Sequence, residues 1–206
     1  MRNLARIVLC LLVSAASGFA LAGGGPLGID SEVSGNATGI FSRGNQKALH
    51  DIVIVGTLGG ALWEGSDSRL GRTFWQSTDS MLLGQVGYAV LNNSLRRLRP
   101  DQTTDPNQWF KSGGHSFPSG EVTTIASAVT PFVFEYAGDH PAVYALELLP
   151  AYDAVARVKS HAHWQSDVLA GWALGTGAGW YAHHREQPFT VTVLPKAVTV
   201  GWRTRF

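Results

Sequence analysis

The sequence is short of cysteine, of charge and of long apolar runs. Cys10 is the single cysteine in 206 residues, and it lies in the N-terminal leader. The remaining chain can form no disulfide, and a cysteine nucleophile or thiolate metal site is excluded. Charged residues make up 15% of the chain, below the roughly 25% of ordinary soluble domains. The net charge is +1, with no basic run beyond Arg96-Arg97. Nothing here can follow a phosphate backbone, so nucleic acid is excluded as a sequence-independent partner. No stretch gives 18 clean apolar residues. The best, 52–63 and 122–135, have the length of buried core helices rather than membrane spans. Hydrophobic residues nevertheless make up 45%, which excludes a disordered chain.

Residues 1–22 read as a secretory signal peptide. Arg2 and Arg6 open it, 7–20 is mostly apolar, and Ala20-Leu21-Ala22 fits a small-x-small cleavage site before Gly23. The rival is an uncleaved anchor, for which the apolar stretch is short. A lipoprotein site at Cys10 is disfavoured because Val8-Leu9 lacks small residues. Removing Arg2 and Arg6 from 16 basic residues leaves 14 against 15 acidic ones, a net of −1.

Residues 23–45 are rich in Gly, Ser and Asn and read as a flexible lead-in. Helical patterning then predicts helices over 46–63, 78–98, 120–136, 141–159 and 163–184, with Pro150 kinking or breaking the fourth. The loop 100–118 is long, polar and punctuated by Gly and Pro, as functional loops often are. The tail alternates Thr and Val on both sides of Pro195-Lys196, which predicts two short strands. Gly171, Gly175 and Gly179 set a small residue every fourth position. That spacing fits a tight helix crossing in a bundle, the membrane counterpart being disfavoured by the short apolar runs. The expected fold is all-α, a bundle of about five or six helices with a small C-terminal β extension over 187–206.

Three short stretches carry chemistry. In Arg157-Val-Lys-Ser-His-Ala-His163-Trp-Gln-Ser-Asp167, His163 and Asp167 are four apart. On a helix they share a face, and the carboxylate can fix the imidazole tautomer. The plain alternative is an i,i+4 stabilising pair. In Ser116-Phe-Pro-Ser119-Gly120-Glu121, Ser119 is a good N-cap, and a helix N-terminus with Gly admits an anion. The plain alternative is an ordinary cap with an acid in the first turn. Arg96-Arg97-Leu-Arg99-Pro100 offers guanidinium groups suited to phosphate, or simply cations at a helix C-terminus.

Taken in order, Arg-Pro, Pro-Ser-Gly and Arg-(five)-His-(three)-Asp resemble the type-2 phosphatidic acid phosphatase superfamily, which also holds vanadium haloperoxidases and bacterial acid phosphatases. The likeness covers roughly residues 46–186. It implies that His163 is the nucleophile, carrying a phosphohistidine, and that Asp167 orients it. It implies that Arg99, Arg157, Ser119 and Gly120 hold phosphate oxygens, the last two through backbone N–H groups. Three positions depart from the family pattern. Its Lys falls on Asn92, the Ser before its second Arg on Ala156, and its acid His on Glu121. Arg96, four after Asn92, is a candidate to return the missing cation. Glu121 is the candidate acid, if phosphate repulsion outweighs the helix dipole in setting its pKa. His115 is a candidate for the missing imidazole.

The expected function is metal- and cofactor-independent hydrolysis of a phosphorylated small molecule or lipid, in the periplasm or cell envelope, with vanadate as a phosphate mimic. Seven Trp and the low charge leave peripheral membrane contact open. The alternatives are a non-catalytic binder of phosphate or lipid head groups and, less favoured, a vanadate-dependent haloperoxidase.

Overall fold

The computed structural model describes residues 23–185 and two C-terminal strands. The expected leader lies outside the described residues. Five α-helices form the domain: α1 (Arg43–Glu64), α2 (Arg69–Leu95), α3 (Gly120–Tyr136), α4 (Leu148–Lys159) and α5 (Gln165–His184). Beyond them β1 (Thr190–Leu194) pairs antiparallel with β2 (Ala197–Gly201). The chain is an all-α bundle. No helix among the described residues is long and apolar enough to cross a membrane.

The axis of the bundle is α3 laid against α5, with α2 packed on both. Residues 122–131 of α3 are all buried, and Val122, Ala154 and Val168 tie α3, α4 and α5 together. The glycine stripe of α5 sets how close the two axial helices come. A Cβ on Gly171 would lie 2.5 Å from the Ser119 carbonyl, and one on Gly175 would lie 2.5 Å from that of Thr123. Gly175→Ala must therefore push two backbones apart, at a cost of about 1–3 kcal/mol. Gly59→Ala on α1, where nothing lies within 4 Å, should instead stabilise by roughly 0.5–1 kcal/mol. Urea midpoints of the two variants moving in opposite directions would check the crossing.

Several boundaries differ from expectation. Ser42 and Ser68 cap α1 and α2, accepting from the N–H groups of Asn45 and Gly71. Both helices therefore start earlier than the apolar pattern does. Arg96 is left-handed (φ 45°) and stops α2 short of residue 98. Pro150 kinks nothing, because 141–147 is a 3-10 segment and α4 begins at Leu148. Pro150 thus falls in the first turn, where a missing N–H costs little. Nor is 23–45 a loose lead-in. Gly24 and Asp30 exchange backbone hydrogen bonds, His161 Nε2 lies 2.9 Å from the Val33 carbonyl, and Asp30 is fully buried.

Candidate active site

His163 stands just before α5, not on it: the N-cap is Trp164. The preceding turn is held by Arg157, whose carbonyl accepts from the N–H groups of Ala162 (3.0 Å) and His163 (3.3 Å). The imidazole is buried, and its Nδ1 lies 2.7 Å from the Ser116 carbonyl. A carbonyl only accepts, so Nδ1 carries the proton and Nε2 keeps its lone pair. Burial is the main cause holding the imidazole below its ordinary pKa, so the ring is neutral at neutral pH; Asp167 opposes this and the charges of Arg157 and Arg99 reinforce it.

Asp167 does not bond the ring as the i,i+4 expectation had it. Its Oδ2 is 3.8 Å from Nδ1, too far for a hydrogen bond. The reason is that His163 is outside the helix, and Asp167 turns back to cap α5 by accepting from Trp164 N (2.9 Å). It also accepts from Ser116 Oγ (2.5 Å) and Arg97 (2.6 Å). Asp167 thus positions Ser116, and Ser116 orients the ring. Burial pushes the Asp167 carboxyl up, but His163, Arg97 and Ser116 outweigh it and keep it ionised.

Arg97, rather than Arg96, is the buried cation of its cluster. Arg96 is exposed at the left-handed helix stop and does not compensate for Asn92. Arg97 uses all five N–H donors, on Asp30, Asp167, Ser166 and twice on the Pro106 carbonyl. Asn92 is not idle: its Nδ2 donates to the Phe117 carbonyl (3.1 Å), and its Oδ1 lies 3.0 Å from His115 Nδ1. His115 itself is exposed on the loop.

A cavity of about 590 Å³ opens over His163, with Arg99, Arg157, Gly120 and Glu121 in its wall. Arg99 reaches it from the loop, with one NH2 on the His115 carbonyl (3.3 Å). Arg157 is buried, bonded to Gln46 (3.1 Å), and its Nε meets no partner. Ser119 differs from expectation. Its backbone N–H is taken by the Asp167 carbonyl (2.9 Å), as the tight α3–α5 crossing requires. Its hydroxyl caps nothing and is buried without a partner. The spare group at Ser119 is therefore Oγ, beside the first N–H of α3 at Gly120.

Arg43 settles the Glu121 contest. Its guanidinium grips Glu121 with two bonds (2.6 and 2.5 Å), and Arg157 lies 3.5 Å away. Burial pushes the Glu121 carboxyl up, but Arg43 and Arg157 outweigh it and hold it below its usual range. An ionised Glu121 has no proton to give. Arg43 lies outside the helix that the apolar pattern predicts from Gln46. The signal was a cation at a helix N-terminus, where the dipole disfavours it. Arg43→Ala should uncover the negative charge in the wall and raise KM for a phosphomonoester about 10-fold, with kcat moved less.

Asp153 of α4 lies behind this cluster, fully buried. Burial, then the charge of Glu121, push its carboxyl up to about 7, with Arg157 and Arg43 pulling back. An unfolded Asp ionises near pH ~3.9, so the folded state holds the extra proton between those values. That contribution to stability is fully present below the unfolded pKa and is lost as pH rises through about 7. Urea midpoints of Asp153→Asn should lose this fall, so the variant gains on the unaltered protein between pH 4 and pH 8.

The family model of the PAP2 superfamily matches residues 74–190, more than half of the chain. The chain belongs to that superfamily. A lipid A 1-phosphatase of Porphyromonas gingivalis is 33% identical over 88 residues, which make up 42% of this chain and 18% of that protein. The match thus spans under a fifth of the relative's length. No solved structure matches. In this PAP2 chain the two motif arginines and the motif histidine meet at one cavity, while Arg96 stays outside it. Arg43 lies outside the three stretches, and Arg97 and Ser116 lie inside them at positions to which the family likeness gives no role.

Proposed function

We propose that the protein is a phosphatase that hydrolyses a phosphomonoester of a lipid or lipid-linked molecule through a phosphohistidine. The observation that carries this reading is the state of His163. It is neutral, its Nδ1–H is held by Ser116, and its Nε2 is left for the cavity that Arg99 and Arg157 line. Nε2 attacks phosphorus in line. Arg99, Arg157 and the Gly120 N–H stabilise the charge on the equatorial oxygens. Water then cleaves the N–P bond. Glu121, ionised, holds Arg43 and Arg157 in place.

Two features favour an amphiphilic substrate. The far wall of the cavity is apolar, with Ile54, Leu58, Trp75 and Leu82. The outer face of α1 exposes Ile52, Val55, Leu62 and Trp63, which suits contact with a lipid surface. The lipid A 1-phosphatase likeness supports the same class. The leader over residues 1–22 supports action at the cell envelope.

The test is phosphate release in EDTA from phosphatidic acid in mixed micelles and from a soluble aryl phosphate, with vanadate as competitor. Release with an acid-labile phosphoryl label on the protein is expected, kcat/KM being higher for the lipid. Phosphate binding without release would favour the non-catalytic binder.

A further inference from the structure

A phosphohistidine mechanism needs a proton for the leaving oxygen, and the position where the family pattern carries its acid holds Glu121. That carboxylate is gripped by two bonds from Arg43. The arginines of the wall cannot release a proton at working pH. The Nδ1 proton of His163 is committed to Ser116, and Asp153 is sealed from the cavity. The remaining titratable groups of the wall are Asp79 and Tyr88 on α2 and His50 on α1, and of these the imidazole is the one whose ordinary pKa suits proton donation near neutral pH.

Helix α1 supplies it. Arg43, Gln46, His50 and Ile54 recur at spacings of three and four and share one face of the helix. The contacts fix where that face looks. Arg43 bonds Glu121, Gln46 accepts from Arg157, and His50 and Ile54 line the cavity. His50 is therefore one turn beyond the residue that holds Arg157. Its Nδ1 lies 3.6 Å from Oδ1 of the exposed Asp51, beyond hydrogen-bond distance. The side chain is 26% exposed, so water can reach it for the second step.

We propose that His50 is the general acid for the leaving group, taking over from α1 the task that Glu121 on α3 has lost. This rests on the phosphatase reading above. In the first step Nε2 of His163 forms the N–P bond as the bond from phosphorus to the leaving oxygen breaks. The His50 imidazolium gives its proton to that oxygen, and the alcohol departs. In the second step neutral His50 takes a proton from the attacking water, the new O–P bond forms, and the N–P bond breaks. Phosphate leaves, His163 regains its lone pair, and His50 is again protonated.

General-acid help is worth most when the leaving group is poor, and that is what the test reads. kcat/KM is measured for a simple alkyl phosphate and for 4-nitrophenyl phosphate, with the unaltered protein, His50→Gln, Tyr88→Phe and His163→Ala. Tyr88 is included because it also lines the cavity and its ring borders Gly120. His50→Gln should lower the rate on the alkyl ester by about 100-fold or more, and on the aryl ester by less than about 10-fold, since a good leaving group needs little protonation. Tyr88→Phe should treat both esters alike. An equal loss on both esters in His50→Gln would mark a merely structural role and overturn the proposal, as would no loss at all. A leaving-group-selective loss in Tyr88→Phe alone would move the acid to Tyr88. Release that needs His163 but ignores His50 sinks only this assignment. No release from the unaltered protein, or release that survives His163→Ala, overturns the phosphatase reading and this role with it.

Discussion

His163→Ala should lower phosphate release by about 10⁴-fold or more, because the nucleophile and the covalent intermediate are lost together. The acid-labile phosphoryl label should vanish in the same variant. Binding should survive. Arg99, Arg157 and the Gly120 N–H are untouched, so phosphate and vanadate should bind within a few-fold of the unaltered protein. Folding should suffer only modestly. The substitution leaves the Ser116 carbonyl without its ring donor, a cost of about 1–3 kcal/mol that a urea melt would register. A variant that keeps a tenth of the rate would exclude His163 as the nucleophile, since nothing else in the cavity wall presents a neutral, buried, tautomer-fixed imidazole.

Arg97→Met should be the most damaging substitution for stability. The side chains of Arg97, Asp30 and Asp167 are all fully buried. Removing the cation strands two carboxylates out of water, with a cost of about 3–5 kcal/mol. Arg97→Lys should recover little, because three ammonium donors cannot replace a planar fork of five that meets Asp30 on one side and Asp167 on the other. Adding Asp30→Asn to Arg97→Met should return about 1–3 kcal/mol, as coupled neighbours do. Urea unfolding of the single and double variants measures both terms. An additive double variant would mean that the pair is not coupled.

The bundle and the chemistry of its motifs were legible because both rest on local pattern. The buried run 122–131 shows its helix by composition, and the glycine spacing on α5 announces a close crossing. Arg99, Arg157 and His163 stand out in the sequence through the ordered likeness of their three stretches to the superfamily pattern, and the structure brings the three to one cavity. What stayed hidden depends on tertiary approach. Arg43 meets Glu121 from 78 residues away. Asp30 meets Arg97 from a stretch whose composition looks like a linker. The Asp167 geometry was misread for a smaller reason. A spacing of four implies a shared helical face only if both residues are in the helix, and a capping turn at Trp164 put His163 outside it. Arg96 and Arg97 could not be told apart by sequence either, because the left-handed stop at Arg96 decides which one turns inward.

Arg157 holds the His163 turn by its carbonyl and faces the cavity with its guanidinium. On the proposed mechanism, the turn that carries the attacking nitrogen and one of the groups that would grip the electrophile are thereby anchored on a single residue. Breathing of α4 against the rest of the bundle carries both along together, as common-mode drift, and the gap between them is spared the differential jitter that separate mountings would bring.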